Sequence, residues 1–190
     1  QYLLIKTFFI IFKIIGYSKA SNLGMFIGKN FGPFFKSKKI ISQNIKNYNP
    51  NLNEESIKKI TKIMWGNYGR IFAEYMFIKD FRLNKLDKHI KINGVEYLKE
   101  IKKKNKPVIF VSAHFNNFEL MAMQIEKSGI NLGAVYRPLN NFFLNKTMEE
   151  IRKKYICKVQ IKKGLSGIRE ILKIFKNNFS IAMMIDQRVT

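Results

Sequence analysis

Pro107-Val-Ile-Phe-Val-Ser-Ala-His-Phe-Asn-Asn-Phe-Glu119 is the stretch from which the fold of this chain is read. Its first six residues, Pro107 to Ser112, form a short apolar run rich in β-branched and aromatic side chains, which reads as a buried strand. The helical period resumes near Asn117 and continues to Gly129, whose type suits a helix stop. The same alternation continues downstream: residues 131–136, 157–161 and 179–185 read as strands, and 143–155 and 166–177 as helices. Upstream, 88–93 read as a strand and 94–104 as a helix. Apolar strands separated by helices predict an α/β fold, a mostly parallel sheet with crossover helices. In such sheets ligands bind beyond the carboxyl ends of the strands.

His114 stands just after the strand Pro107–Ser112, on that edge. Glu119 lies five residues on. Inside one regular helix, residues five apart point about 140° away from each other. The two side chains meet only if His114 occupies the strand-to-helix turn and Glu119 the first turn of the helix. Acyl transfer to a hydroxyl needs a base near neutrality, which imidazole supplies. A carboxylate on the other ring nitrogen fixes the tautomer and stabilises the imidazolium. The nucleophile is then the substrate hydroxyl, and no catalytic serine is needed. The spacing itself is common, so a capping histidine beside a solvated glutamate is the other reading.

Ahead of the α/β region the chain is helical. Tyr2 to Gly16 is apolar almost all round, broken by Lys6 and Lys13, which share a helix face. Its apolar runs fall short of the about 20 residues of an ordinary membrane span. A second apolar stretch, Leu23 to Phe35, follows, and no signal-peptide cleavage site is evident. Residues 1–36 are therefore expected to anchor the chain in a membrane, lying in the interface with snorkelling lysines or spanning it. A greasy helix on a soluble core is the other reading. Gly24 and Gly28 form a small-xxx-small pair, too common to carry weight. Residues 37–85 make a helical region. Asn49-Pro50-Asn51 is a turn, Asn53 with Glu54 and Glu55 a helix start, and Ile57, Ile60, Ile63, Met64, Tyr68, Ile71 and Tyr75 a buried stripe. Residues 86–190 are the α/β core.

Composition narrows the partners. The 190 residues carry a formal charge of +22, and only six of the 35 basic residues are arginines. Such a charge favours polyanions: nucleic acid, anionic headgroups or phosphorylated glycolipids. No zinc-finger spacing, basic-zipper heptad or RNP motif points to nucleic acid. Lysine, isoleucine and asparagine are over-used together, which an AT-rich coding bias also produces. With 46% hydrophobic residues, a sizeable core is expected rather than disorder. Cys157 is the sole cysteine, so there is no intrachain disulfide. Neither a metal-ligand spacing nor a nucleotide-binding loop appears, and no cofactor is expected.

His114-Phe-Asn-Asn-Phe-Glu119 resembles the His-x-Gly-Asn-Trp-Glu block of the bacterial lipid A biosynthesis acyltransferases, the lauroyl/myristoyl acyltransferase family. Tyr136-Arg-Pro-Leu-Asn-Asn141 is similar to that family's Tyr-Arg-Pro-x-x-Asn block. Gly164-Leu-Ser-Gly-Ile-Arg169 resembles its Gly-rich segment, and Asp186-Gln187 its closing acidic pair. Asn44 to Pro50, Trp65-Gly-Asn-Tyr-Gly-Arg70 and Glu74 look like its leading helices. Asn116 stands where the block has glycine, and asparagine tolerates a left-handed conformation; Phe118 replaces its tryptophan and keeps an aromatic platform. The family runs on past Thr190, so the chain reads as a fragment lacking the C-terminal part.

The resemblance implies an enzyme of the bacterial inner membrane, on its cytoplasmic face. It implies an acyl-carrier-protein thioester as donor and a lipid A precursor glycolipid as acceptor, with no nucleic-acid partner. His114 would be the general base and Glu119 its orienting partner. Arg137 and Arg152 would face phosphate or a developing oxyanion, although Arg152 also fits a solvated helix face beside Lys153 and Lys154. Asn117 would bond within the turn or contact substrate. Asp186 would bind a sugar hydroxyl or an arginine, or cap the strand end. The rival readings are an acyl-CoA-dependent enzyme acting on another glycolipid or phospholipid, and a non-catalytic basic membrane-associated remnant.

Overall fold

The computed structural model describes residues 2–186. They divide into two compact units, one spanning Leu3–Phe77 and one beginning at Ile78.

The first unit is helical: α1 (Tyr2–Ile15), α2 (Tyr17–Phe31), α3 (Lys38–Tyr48) and α4 (Glu54–Glu74). Gly16, at φ 80°, breaks α1 from α2 in a conformation that side chains disfavour. Phe9 and Phe12 of α1 bury against the Phe72 ring, at centroid distances of 5.1 and 6.1 Å. Leu3, Leu4, Ile10, Ile11 and Ile14 stay exposed. No helix among the described residues is long and apolar enough to cross a membrane.

As its sequence predicts, α4 starts on Asn53, whose side chain accepts from the Ser56 N–H at 2.9 Å, with Glu54 and Glu55 in the first turn. The face it buries is not the predicted one. Ile57 and Tyr75 are buried, but Ile60, Ile63 and Tyr68 are exposed. Small residues make the contact instead. A Cβ on Gly69 would lie 1.9 Å from the Gly24 carbonyl oxygen, and one on Gly28 2.2 Å from that of Trp65. The small-xxx-small pair of α2 is thus where the two backbones touch. Beside this crossing Glu74 is buried and accepts from the Ser21 hydroxyl at 2.7 Å. Burial, and then the Glu74 charge, push the Tyr17 phenol up to about 12.

The second unit opens with α5 (Ile78–Arg82) and α6 (Val95–Lys104). It then alternates β1 (Ile109–Ser112), α7 (Glu119–Lys127), β2 (Leu132–Tyr136), α8 (Phe142–Tyr155), β3 (Val159–Lys162), α9 (Leu165–Lys176) and β4 (Ser180–Met184). The segment 88–93 is not a strand. A 3-10 turn occupies Asp87–His89, and Ile90 is extended but pairs with no described strand. Local extension without a neighbour leaves no ladder.

The four strands are all parallel, in the order β1-β4-β2-β3. β4 slots between β1 and β2, so β1 and β3 are the edges. β1, expected to be buried, leaves Ile109 and Val111 exposed; two residues apart, they share one face of the sheet, which is open at this strand. The core lies further in, on Ile181, Ala182, Leu132 and Ile161, with Met123 and Ile125 from α7. α9 approaches β3 closely at Gly167, where a Cβ would lie 1.9 Å from the Lys162 carbonyl oxygen. The Asp186-Gln187 pair is described only at Asp186; Gln187 lies outside the described residues.

Candidate active site

The register brings the site together. Ser112 of β1 pairs with Met184 of β4, and the Ile185 N–H donates to the Ser112 carbonyl at 3.0 Å. Two residues further along each strand, His114 and Asp186 meet. The Asp186 carboxylate takes two bonds from this one residue. Oδ1 lies 2.8 Å from His114 Nδ1, and Oδ2 accepts the His114 backbone N–H at 2.9 Å. That backbone bond, more than the ring, holds the Asp186 carboxyl below the usual carboxylate range. The Phe118 ring packs edge-on against the imidazole, 4.7 Å between centroids. His114 is partly exposed on the carboxyl edge of the sheet.

Between His114 and α7 the chain turns tightly. Phe115 N–H donates to the Ala113 carbonyl and Phe118 N–H to that of Asn116. Asn116 sits at φ 44°, the left-handed conformation expected for it. Asn117 is half-buried in this turn. Phe115, next to His114, is exposed, as are Leu139, Phe142 and Phe143 on the segment after β2. The carboxyl edge of the sheet therefore carries exposed apolar side chains after both β1 and β2.

Glu119 is the first residue of α7 and is buried. Its Oε1 accepts from both Nε and Nη2 of Arg152 on α8, at 2.9 and 2.5 Å. Arg152, read from sequence either as an anion binder or as a solvated cation, is thus paired with a carboxylate. Its guanidinium lies 5.6 Å from the Tyr136 ring centroid. Tyr136 in turn donates to Glu149 at 2.5 Å, and Asn145 Nδ2 donates to the same carboxylate oxygen at 2.8 Å. Burial first, then the Glu149 bond, push the Tyr136 phenol well above its ordinary range, and the Tyr136 and Asn145 donors lower the Glu149 carboxyl. Asn145 Oδ1 accepts the Leu139 N–H at 2.8 Å, and Asn141 caps α8 on the Leu144 N–H at 3.0 Å. The segment 137–141 is held by this network. Arg137 on it is exposed and makes no ion pair among the described residues.

The six residues singled out from sequence thus fall into two clusters and a remainder. His114 and Asp186 form one, Glu119 and Arg152 the other, while Asn117 lies on the turn after β1 and Arg137 on the segment after β2. The Tyr136–Glu149–Asn145 network was missed. Its signal was the i, i+4 spacing of Asn145 and Glu149 on α8 behind a strand-end tyrosine. Among the described residues, no three His, Cys, Asp or Glu side chains converge as metal ligands would.

Residues 1–190 match the family described as bacterial lipid A biosynthesis acyltransferase. No curated protein matches the chain.

Proposed function

The chain belongs to the bacterial lipid A biosynthesis acyltransferases, and on that premise we propose that it moves a fatty acyl chain from an acyl-carrier-protein thioester to a hydroxyl of a lipid A precursor. The acyl chain is of lauroyl or myristoyl type. His114 is the general base. As the acceptor hydroxyl oxygen attacks the thioester carbonyl carbon, its proton passes to Nε2 of His114. The tetrahedral intermediate collapses with cleavage of the C–S bond, and the leaving sulfur takes the proton back. The products are an ester and a free thiol, and the imidazole returns neutral. Arg137, exposed at the carboxyl end of β2, binds phosphate of the acceptor, and Asn117 contacts substrate from the turn. Glu119 stays in this reading as a second carboxylate of the site, its charge held by Arg152.

The observation that carries the reading is an imidazole beyond the carboxyl end of a parallel strand, partly open to solvent, with a carboxylate on Nδ1. A base so held has its other nitrogen available to a substrate proton. The exposed Phe115, Leu139, Phe142 and Phe143 favour a substrate with hydrocarbon chains.

The same reading puts the enzyme on the cytoplasmic face of the inner membrane, attached through its first helices. Leu3, Leu4, Ile10, Ile11, Ile14, Phe26, Phe31, Phe34 and Phe35 are exposed there, interleaved with Lys6, Lys13, Lys29 and Lys36. Apolar side chains with basic residues between them suit an anionic interface.

The test is acyl transfer in detergent, with acyl-carrier-protein and acyl-CoA thioesters as competing donors and a lipid A precursor as acceptor. His114→Ala is expected to lose at least about 100-fold in turnover while remaining folded. Wild-type turnover by His114→Ala rejects the base assignment, and preference for acyl-CoA rejects the donor.

A further inference from the structure

We propose that Asn145 is a positioning residue for the acceptor: it fixes the segment 137–141, so that Arg137 meets the acceptor phosphate on backbone already held in place. The proposal rests on the reading of Arg137 as the phosphate ligand and deepens it.

Three observations carry it. First, Asn145 ties the loop to its own helix. The chain leaves β2 at Tyr136 and enters α8 at Phe142, and Pro138 between them has no N–H to give. From the first turn of α8, Asn145 reaches back: its Oδ1 accepts the Leu139 N–H at 2.8 Å, and its Nδ2 donates to Glu149 Oε1, also at 2.8 Å. One amide spends its acceptor on the loop and its donor on the helix, which sets the direction of both.

Second, the far partner is itself anchored. Glu149 Oε1 also accepts the Tyr136 hydroxyl at 2.5 Å, and Tyr136 is the last residue of β2. These two donors, Tyr136 before Asn145, hold the Glu149 carboxyl below the usual range, so it stays an ionised acceptor at neutral pH. The Lys163 N–H donates to the Tyr136 carbonyl at 2.9 Å and pins the strand end from the neighbouring strand's side. A closed path thus runs from Tyr136 through Glu149 and Asn145 to Leu139, and Arg137 and Pro138 lie on the backbone it spans.

Third, Arg137 needs that support. It is exposed and makes no ion pair among the described residues. On a loose loop it would give up backbone as well as side-chain freedom when it met a phosphate. With the loop already ordered, only the side chain remains to be fixed.

Equilibrium binding to the full chain in detergent reads this without turnover, with a phosphorylated lipid A precursor and its dephosphorylated form as probes. Asn145→Ala is expected to weaken the phosphorylated probe by about tenfold, a loss the size of one hydrogen bond, and to leave the dephosphorylated probe unchanged. In an Arg137→Ala background it should add nothing further. Hydrogen exchange at the Leu139 amide should speed up in Asn145→Ala and keep its wild-type rate in Arg137→Ala. In the transfer assay the acceptor KM should rise with the binding constant while kcat stays within about threefold.

Asn145→Asp alone sets two carboxylates against each other and should behave like Asn145→Ala. Combined with Glu149→Gln it should recover wild-type affinity. The acceptors for the Leu139 N–H and the Tyr136 hydroxyl remain, and the bond between the two side chains merely exchanges donor and acceptor. Should Asn145→Ala fail to fold, this exchange decides. An Asn145→Ala variant that binds the phosphorylated probe as the wild type does overturns the proposal, whatever its melting temperature. So does a loss equal for both probes, or one that persists in full in Arg137→Ala. Normal binding by Arg137→Ala rejects the phosphate reading and the proposal with it. The expected binding pattern in a chain that transfers no acyl group supports the positioning role and rejects only the enzymatic reading.

Discussion

Gly69→Ala is expected to destabilise the first unit although alanine is the better helix former. The substitution places a Cβ 1.9 Å from the Gly24 carbonyl oxygen and 3.0 Å from the Gly28 Cα. A carbon and a carbonyl oxygen settle at about 3.3 Å or more, so α2 and α4 must part by roughly 1.4 Å along that line. A gap of even 0.5–1 Å forfeits about a quarter to a half of each contact's attraction. The obstacle is backbone and cannot swing aside, which puts the cost near the top of the usual overpacking range, about 3 kcal/mol. Helix propensity returns about 1 kcal/mol, leaving a net loss of about 2 kcal/mol. Gly66→Ala is the control on the same helix. Its Cβ would meet only side chains, Lys29 Cε at 3.0 Å and the Cγ atoms of Lys29 and Met25 at 3.2 Å, which can give by a few tenths of an ångström, so it should cost much less than Gly69→Ala. The single tryptophan, Trp65, lies on α4 and reports unfolding by fluorescence during denaturant titration in detergent. A Gly69→Ala midpoint equal to wild type, or a Gly66→Ala loss as large as that of Gly69→Ala, refutes the backbone-contact argument.

Removing one partner of the buried Glu119–Arg152 pair, as in Glu119→Ala, should lower the stability of the second unit by about 3 kcal/mol; Glu119→Leu with Arg152→Met should recover most of it, and a double-mutant cycle from denaturant melts checks this. At Asn116, φ 44° predicts that Gly is tolerated while Val, β-branched and unsuited to the left-handed region, costs about 1–2 kcal/mol and slows turnover. Burial pushes the Cys157 thiol up to about 11 from 9.0. Between those values the unfolded chain releases a proton that the folded chain keeps, so the contribution of Cys157 to stability is present below pH 9 and lost as pH rises toward 11. Iodoacetamide at pH 8 should therefore label Cys157 slowly in the native chain and readily after denaturation; equal rates contradict its burial.

The alternation of strands and helices after residue 106 was legible because each apolar run is short, bounded and followed by a helical period. Segment 88–93 misled because strand identity depends on a neighbour that sequence does not supply. The buried face of α4 was misjudged for a related reason. Counting large apolar side chains selects Ile60, Ile63 and Tyr68, whereas the contact is made by Gly66, Gly69 and Ala73, which have little side chain to count. In the site, His114 and Glu119 were picked out by type and position, and Arg152 and Asp186 through the resemblance to the family. Their pairing was not legible. His114 and Asp186 are 72 residues apart and meet only through the strand order β1-β4, while Glu119 is drawn away by an arginine 33 residues downstream.

The insertion of β4 between β1 and β2 also sets a clock on the newborn chain. Among the described strands β1 pairs with β4 alone, so the strand that delivers His114 has no lateral support while β2 and β3 are being made. At about 5–20 residues per second of synthesis, the 72 residues separating His114 from Asp186 correspond to roughly 4–14 s. Throughout that interval the imidazole exists without the carboxylate that its ring meets in the folded chain. The His114–Asp186 pair therefore forms in one late event, when β4 takes its place between β1 and β2.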